Sequence, residues 1–290
     1  MLDSSRAILN ANPQLSRFDP LERILFFDDF DQGLNGWTSL IGNYEHKLES
    51  ILPDYRDLRP PMLSNLSMWD TGTAGSMSGT YALKLSTRAS SDSLGVGIKR
   101  QTFRSRGKVQ LECYFCFKPE ANELKLSELD VRAFGVLFDI QDGRNAELRW
   151  MPHLRYLNAV NGQRIARWQF KPRTRDFHKI GDSGKTVSHF HLGQEGWVDV
   201  PTDSQELCYN EIATKMNWHY LKVNLDLETR RFISFRCNDV IYDGDALQCI
   251  EIPAMPNLFC MLNIGFWVET DVDKRAFLYV DSVLLSGEIE

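Results

Sequence analysis

The sequence contains no apolar run approaching the ~18 residues a membrane-crossing helix requires, and nothing in it predicts a span. Its opening stretch, MLDSSRAILNANPQLSRFDP, carries Asp3 and Arg6 early and lacks an apolar segment of signal-peptide length. Together these absences predict a cytoplasmic protein. Also missing are a Gly-rich phosphate loop following a strand, a G-x-S-x-G nucleophile elbow and an H-E-x-x-H helix, which argues against nucleotide-dependent enzymes and the common hydrolase classes. There is no excess of positive charge. The 33 Lys and Arg against 39 Asp and Glu leave a net charge of −6, so nothing favours nucleic acid or an anionic membrane surface as a partner. The basic cluster Arg164, Arg167, Lys171, Arg173 and Arg175 reads as a solvated, charge-rich loop.

Cysteine is sparse, at six residues in 290. Cys113 and Cys116 have C-x-x-C spacing, but they lie in LECYFCF, a strand pattern in which residues three apart point to opposite faces. They cannot share a metal or a disulfide from that geometry, and all six cysteines are expected to be small buried apolar residues. Helical periodicity is scarcer still. One short piece falls in residues 1–22, a polar lead-in, and the only convincing stretch is around Ser127–Val131.

What is present is strand after strand. ILFFDDF, TYALKLSTR, GVGIKRQTF, KVQLECYFCFKP, VRAFGVLFDIQD, WHYLKVNLDL, RFISFRCNDVIYD, NLFCMLNIGFWVET and AFLYVDSVLLSGEI follow one another between turn signals. RWMPHLRYLNAV and QRIARWQFK form a hairpin about Asn161-Gly162, a dipeptide suited to a type I′ turn. Period-two alternation sets Leu111, Cys113, Phe115 and Phe117 against Glu112, Tyr114, Cys116 and Lys118. It likewise sets His219, Leu221, Val223, Leu225 and Leu227 against Trp218, Tyr220, Lys222, Asn224 and Asp226. About eleven or twelve such strands predict an all-β antiparallel sandwich, a single domain over residues 23–290. Residues 40–80, with adjacent prolines and many Gly, Ser and Thr, fit neither strand nor helix and are expected to form a long ordered loop.

Two segments carry a family resemblance. FFDDFDQGLNGW at 26–37 resembles the opening strand and turn, and AFLYVDSVLLSGEI at 276–289 the closing strand, of the concanavalin A-like lectin/glucanase (laminin-G-like) jelly rolls. NWHYLKVNLDLETRRFISFRCNDVIYD at 217–243 resembles a hairpin of the same group. These stretches cover about a fifth of the chain and imply a jelly roll. The central region, with RDLRPPMLSNLSMWDTGT and MPHLRYLN, resembles an uncharacterised bacterial family, which brings no activity with it. One sandwich fold carries lectins, hydrolases, lyases and spacers, so the fold does not name the function.

Candidate chemistry follows. In related jelly rolls the two termini pair as neighbouring strands and carboxylates there hold a structural Ca²⁺. Asp28, Asp29, Asp31 and Asp281 supply hard oxygen ligands for such a site, with Asp28 and Asp281 the expected pair; the alternative is that they cap a turn. The Glu-x-Asp-x-x-Glu strand that sandwich glucanases share is missing, leaving Asp139 and Glu112 as a possible carboxylate pair for glycoside hydrolysis. A polysaccharide lyase takes a proton beside a uronate carboxylate that an Arg or Gln neutralises. His153 and Arg155 share one strand face while Tyr156 points away, and Gln169 and Lys171 lie on the partner strand. His189 and His191, with His178 upstream, have spacing compatible with Zn²⁺. The reading adopted is recognition of an oligosaccharide or sugar-derived ligand on the concave sheet. Trp69, Trp150, Trp168 and Trp218 would stack on it, and His153, Arg155, Asp139, Gln169 and Tyr156 would supply polar contacts. An intracellular carbohydrate-active enzyme is the alternative. A homo-oligomer assembled through sheet edges is the third reading.

Overall fold

Strand β6 (Lys108–Pro119) divides as its alternation predicts, with Leu111, Cys113, Phe115 and Phe117 entering the main core. It pairs with β14 (His219–Asp226), whose even-odd pattern buries His219, Leu221, Val223 and Leu225. Around these two strands the computed structural model builds its sandwich. It describes residues 7, 9–39, 59–65, 75–103, 106–120, 127–141, 148–174, 177–178, 186–187, 191–209, 215–254 and 260–288.

Among these residues one sheet runs in the order β16 (Val240–Asp243), β15 (Arg231–Cys237), β14, β6, β19 (Ala276–Gly287), β4 (Ala82–Ser86) and β3 (Met62–Ser64), with β1 (Arg23–Asp28) pairing off β19. The facing sheet runs β13 (Val198–Asp199), β10 (Gln163–Phe170), β9 (His153–Val160), β7 (Ala133–Gln141), β18 (Met261–Thr270), β5 (Ser93–Thr102) and β2 (Trp37–Ser39). To it β8 (Leu148–Met151) and β17 (Ile250–Pro253) add a short flank, and β11 (Phe177–His178) and β12 (Thr186–Val187) form a separate ribbon. Every strand pairing is antiparallel. Consecutive strands β4, β5, β6 and β7 alternate between the two sheets, as do β18 and β19, which is the winding of a jelly roll. The helical expectation at 127–131 is met by one 3₁₀ turn, Glu128–Asp130. No helix of the described residues is long and apolar enough to cross a membrane.

Several expectations need amending. β3 is a short edge strand inside the segment expected to be all loop, and Arg59 bridges Gly95. The lead-in is also more than a tether. Residues 14–21 cross the outer face of the eight-stranded sheet, where Phe18 is buried against Phe27 and Tyr114. There the Asp19 amide donates to Glu112 and Gln110 donates to the Asp19 carbonyl. Of the six cysteines, Cys208 is exposed and Cys249 and Cys260 are half-buried, because they lie at strand ends and in connections rather than mid-strand.

The Asn161-Gly162 turn is as read. Both residues have positive φ, 49° and 73°, and Val160 faces Gln163 across the turn. One glycine fixes a close approach. A Cβ on Gly135 would lie 2.3 Å from the Leu154 carbonyl oxygen and 2.5 Å from the Trp267 ring. Backbone and a packed indole cannot both retreat, so Gly135→Ala is expected to destabilise the fold by about 1–3 kcal/mol, measurable as a shifted urea midpoint.

Candidate functional site

Parity along β9 and β10 builds the site. Leu154 and Tyr156 enter the core, which turns His153 and Arg155 to the outer face of the nine-stranded sheet. On β10, a bulge between Arg164 and Arg167 with Ala166 at φ 56° sets the register in which Trp168 and Phe170 face inward. Gln169 then lies opposite Arg155 on the outer face. Cross-strand partners form one row over the sheet: Asp199, Gln169, Arg155, Gly135, Trp267 and Val96. With no side chain at Gly135, the Trp267 indole extends across the row toward Arg155.

Polar groups converge on this row. The Arg155 Nε donates to Gln169 Oε1 at 2.8 Å, and Gln169 Nε2 donates to Asp199 at 2.7 Å. Glu269 is fully buried; it accepts from Trp267 Nε1 at 2.9 Å and lies 3.5 Å from Arg155 Nη1 and 3.6 Å from Arg132 Nε. The chain then crosses back over the row at 191–197. Arg155 Nη1 donates to Gln194 Oε1 at 3.1 Å, and Gln194 Nε2 donates to Glu269 at 2.8 Å. The Gly193 carbonyl accepts from Lys171 Nζ at 2.6 Å and from Trp197 Nε1 at 3.0 Å. The Trp197 ring lies under both cations, 4.3 Å from the Arg155 guanidinium carbon and 5.0 Å from Lys171 Nζ, and 5.8 Å from the Trp267 ring.

Burial and like charge set the electrostatics. Lys171 is buried beside Arg155, and these effects outweigh Glu269 and Glu195 to pull its ammonium down to about 7. Burial also lowers Arg155 to about 10. His153 is held well below the ordinary histidine range by burial, and next by His191 and Lys171. Its Nδ1 meets the Met151 carbonyl at 3.0 Å, leaving Nε2 to accept from His191 Nδ1 at 2.9 Å.

Thus His153, Arg155, Gln169 and Lys171 come together as expected, whereas other expected residues do not. Trp150, Trp168 and Tyr156 sit in the core between the sheets and offer no ligand-facing surface. Trp168 Nε1 and the Tyr156 hydroxyl are both bound by Gln205. Trp218 lies on the other sheet, against Phe277 and Tyr279. Trp69 and His189 lie outside the described residues. Asp139 is clasped by Arg149 at 2.5 and 2.6 Å. Glu112 is on the opposite sheet, bound by the Tyr220 hydroxyl and Gln110. The two carboxylates therefore cannot act on one bond. The aspartates expected for calcium are engaged elsewhere and point to opposite faces. Asp28 turns inward to Lys99 Nζ at 2.7 Å and Trp37 Nε1 at 2.9 Å. Asp281 turns outward and accepts from the amides of Met77, Ser78 and Ser282, while burial raises its carboxyl to about 6. Among the described residues no group of three or more His, Cys, Asp or Glu is placed to hold a metal.

The chain belongs to the family described as Domain of unknown function (DUF6772), whose model matches residues 5–289. No curated protein matches it. Solved structures of similar strand arrangement include the Emp47p carbohydrate recognition domain, with 12% identity, TM-score 0.37 and coverage of 84% of this chain and 100% of that one. Another is an endo-acting O-glycanase of the human gut microbiota, with 14% identity, TM-score 0.43 and coverage of 91% and 99%. A third is the endo-β-1,4-glucuronan lyase of the fungus Trichoderma reesei, with 11% identity, TM-score 0.44 and coverage of 91% and 95%. The similarity is to the sandwich alone, and no residue role comes with it.

Proposed function

We propose that this protein recognises a glycan or sugar-derived ligand on the outer face of the nine-stranded sheet, at the cluster of Arg155, Lys171, Glu269, Trp197 and Trp267. The observation that supports this reading is the convergence of buried charges of both signs on two indole rings. A sheet surface needs neither for stability. Sugar hydroxyls donate to a carboxylate and accept from cations, and the C–H faces of a pyranose pack on aromatic rings. Catalysis has less support. The Asp139–Glu112 pair is divided between sheets, Asp139 is neutralised by Arg149, and His153 Nε2 is occupied by His191.

A saccharide at about 100 times its Kd should add roughly 2.7 kcal/mol to stability, a rise of several degrees in Tm. Trp197→Ala is expected to weaken such a ligand about tenfold or more through loss of the ring beneath the cations. A panel of mono- and oligosaccharides that leaves Tm unmoved would sink the proposal, and so would a hit whose affinity ignores Trp197.

A further inference from the structure

Resting on that reading of the site, we propose that the Gly193–Gly196 turn is a built-in stand-in for the ligand, and that the atoms it presents mark the ligand as a carboxylate-bearing sugar. The turn places two oxygen acceptors on the row. The Gly193 carbonyl receives Lys171 and Trp197, and the Gln194 amide oxygen receives Arg155. It also places one N–H donor, the Gln194 amide nitrogen, on Glu269. A uronic acid carries the same set: carboxylate oxygens for the cationic donors and a ring hydroxyl for the buried acid. It improves on the stand-in in charge, because both turn acceptors are neutral while two of their donors are cations, and a charged acceptor makes the stronger hydrogen bond.

For the ligand to take its place the turn has to swing aside, and its glycines give the backbone the freedom to do so. Glycines flank Gln194 and Glu195, and Gly196 adopts φ 79°, a region only glycine enters freely. Upstream, Leu192 is fully buried and His191 is bonded to His153, so the turn swings from a fixed anchor. In the closed form the turn keeps buried cations satisfied, and a ligand must exchange with it, group for group.

This exchange couples binding to protons. Lys171 faces Arg155, Glu269, Glu195 and His153; buried, with the Gly193 carbonyl as its acceptor among the described residues, it titrates at about 7. A bound carboxylate raises its proton affinity, so binding above pH 7 takes up a fraction of a proton. Affinity then falls as the pH rises above about 7.

The experiment is titration calorimetry of wild type, Gln194→Ala and Lys171→Met with galacturonate, glucuronate and mannuronate oligomers and their carboxyl-methylated counterparts, in buffers of different ionisation heat. Gln194→Ala removes a competitor and should bind the acidic oligomer up to about tenfold more tightly than wild type. The methyl esters should bind weakly. Lys171→Met, a near-isosteric exchange at a buried position, should lose both the preference for the acid and the proton uptake. Esters bound as tightly as acids would overturn the ligand class while leaving glycan recognition standing. Unchanged or weaker acid binding in Gln194→Ala would overturn the stand-in. Silence from every oligomer on all three proteins would take down glycan recognition and this inference together.

Discussion

Replacing Lys99 with Met should cost the fold about 3–5 kcal/mol, the usual penalty for stripping one partner from a buried ion pair, and lower Tm by roughly 10 °C. Lys99 reaches from β5 between the sheets to Asp28, with the two side chains 9% and 5% exposed. Its ammonium also donates to the Asn35 carbonyl and lies 4.4 Å from the centre of the Phe26 ring. Without it, Asp28 keeps, among the described residues, the Trp37 indole as its side-chain partner in a buried setting. The double variant Asp28→Asn/Lys99→Met, which removes both charges, should recover much of the loss. The same ion pair supplies to Asp28 the positive charge that a Ca²⁺ would otherwise bring. Melting of the wild type is therefore expected to be indifferent to a calcium chelator, and a Tm that falls on chelation would show that the opening turn holds the ion after all.

Arg155→Met should reduce saccharide affinity more than a hundredfold while destabilising the fold by about 2–4 kcal/mol. Three partners are stranded at once: Gln169, Gln194 and Glu269. Gln169 loses the donor to its amide oxygen, and buried Glu269 loses one of its two guanidinium neighbours. Trp197 also loses the cation stacked at 4.3 Å. Arg155→Lys should not restore binding, since Nε and Nη1 are directed to different side chains, Gln169 and Gln194, and a single ammonium cannot reach both at those angles. Calorimetry together with chemical denaturation separates the two losses. An Arg155→Lys protein that binds like wild type would show that charge alone matters there.

The sandwich was legible because it is written in period two. The split of Leu111, Cys113, Phe115 and Phe117 from their neighbours, and the pairing of His153 with Arg155, are matters of parity that survive into the fold. The same rule rejects two of the aromatic ligands. Tyr156 follows outward-facing Arg155, Trp168 precedes outward-facing Gln169, and neighbours on a strand cannot share a face. Trp267 and Glu269 were hidden for the opposite reason. In NIGFWVET, the central β18 is covered on both sides, so neither face is polar enough to declare itself. The loop contributions from Gly193, Gln194 and Trp197 depend on a chain crossing about twenty residues beyond Lys171, and no periodicity reports that. Nor does spacing show that Asp28 meets Lys99, 71 residues away on the facing sheet.

The position of the last two strands bears on how such a chain is made. β18 runs between β7 and β5, and β19 between β6 and β4, so each sheet is joined through its middle by the two strands of the sandwich that come latest in sequence. A ribosome that has delivered the chain through residue 260 has exposed both halves of both sheets with unpaired edges and no strand to close them. Neither sheet is continuous until β18 and β19 emerge, and most of the contacts are long-range. Such topologies fold slowly and pass through aggregation-prone states. Until then the inner edges stay open to mispairing, and deleting residues 261–287 removes the strand that joins each sheet.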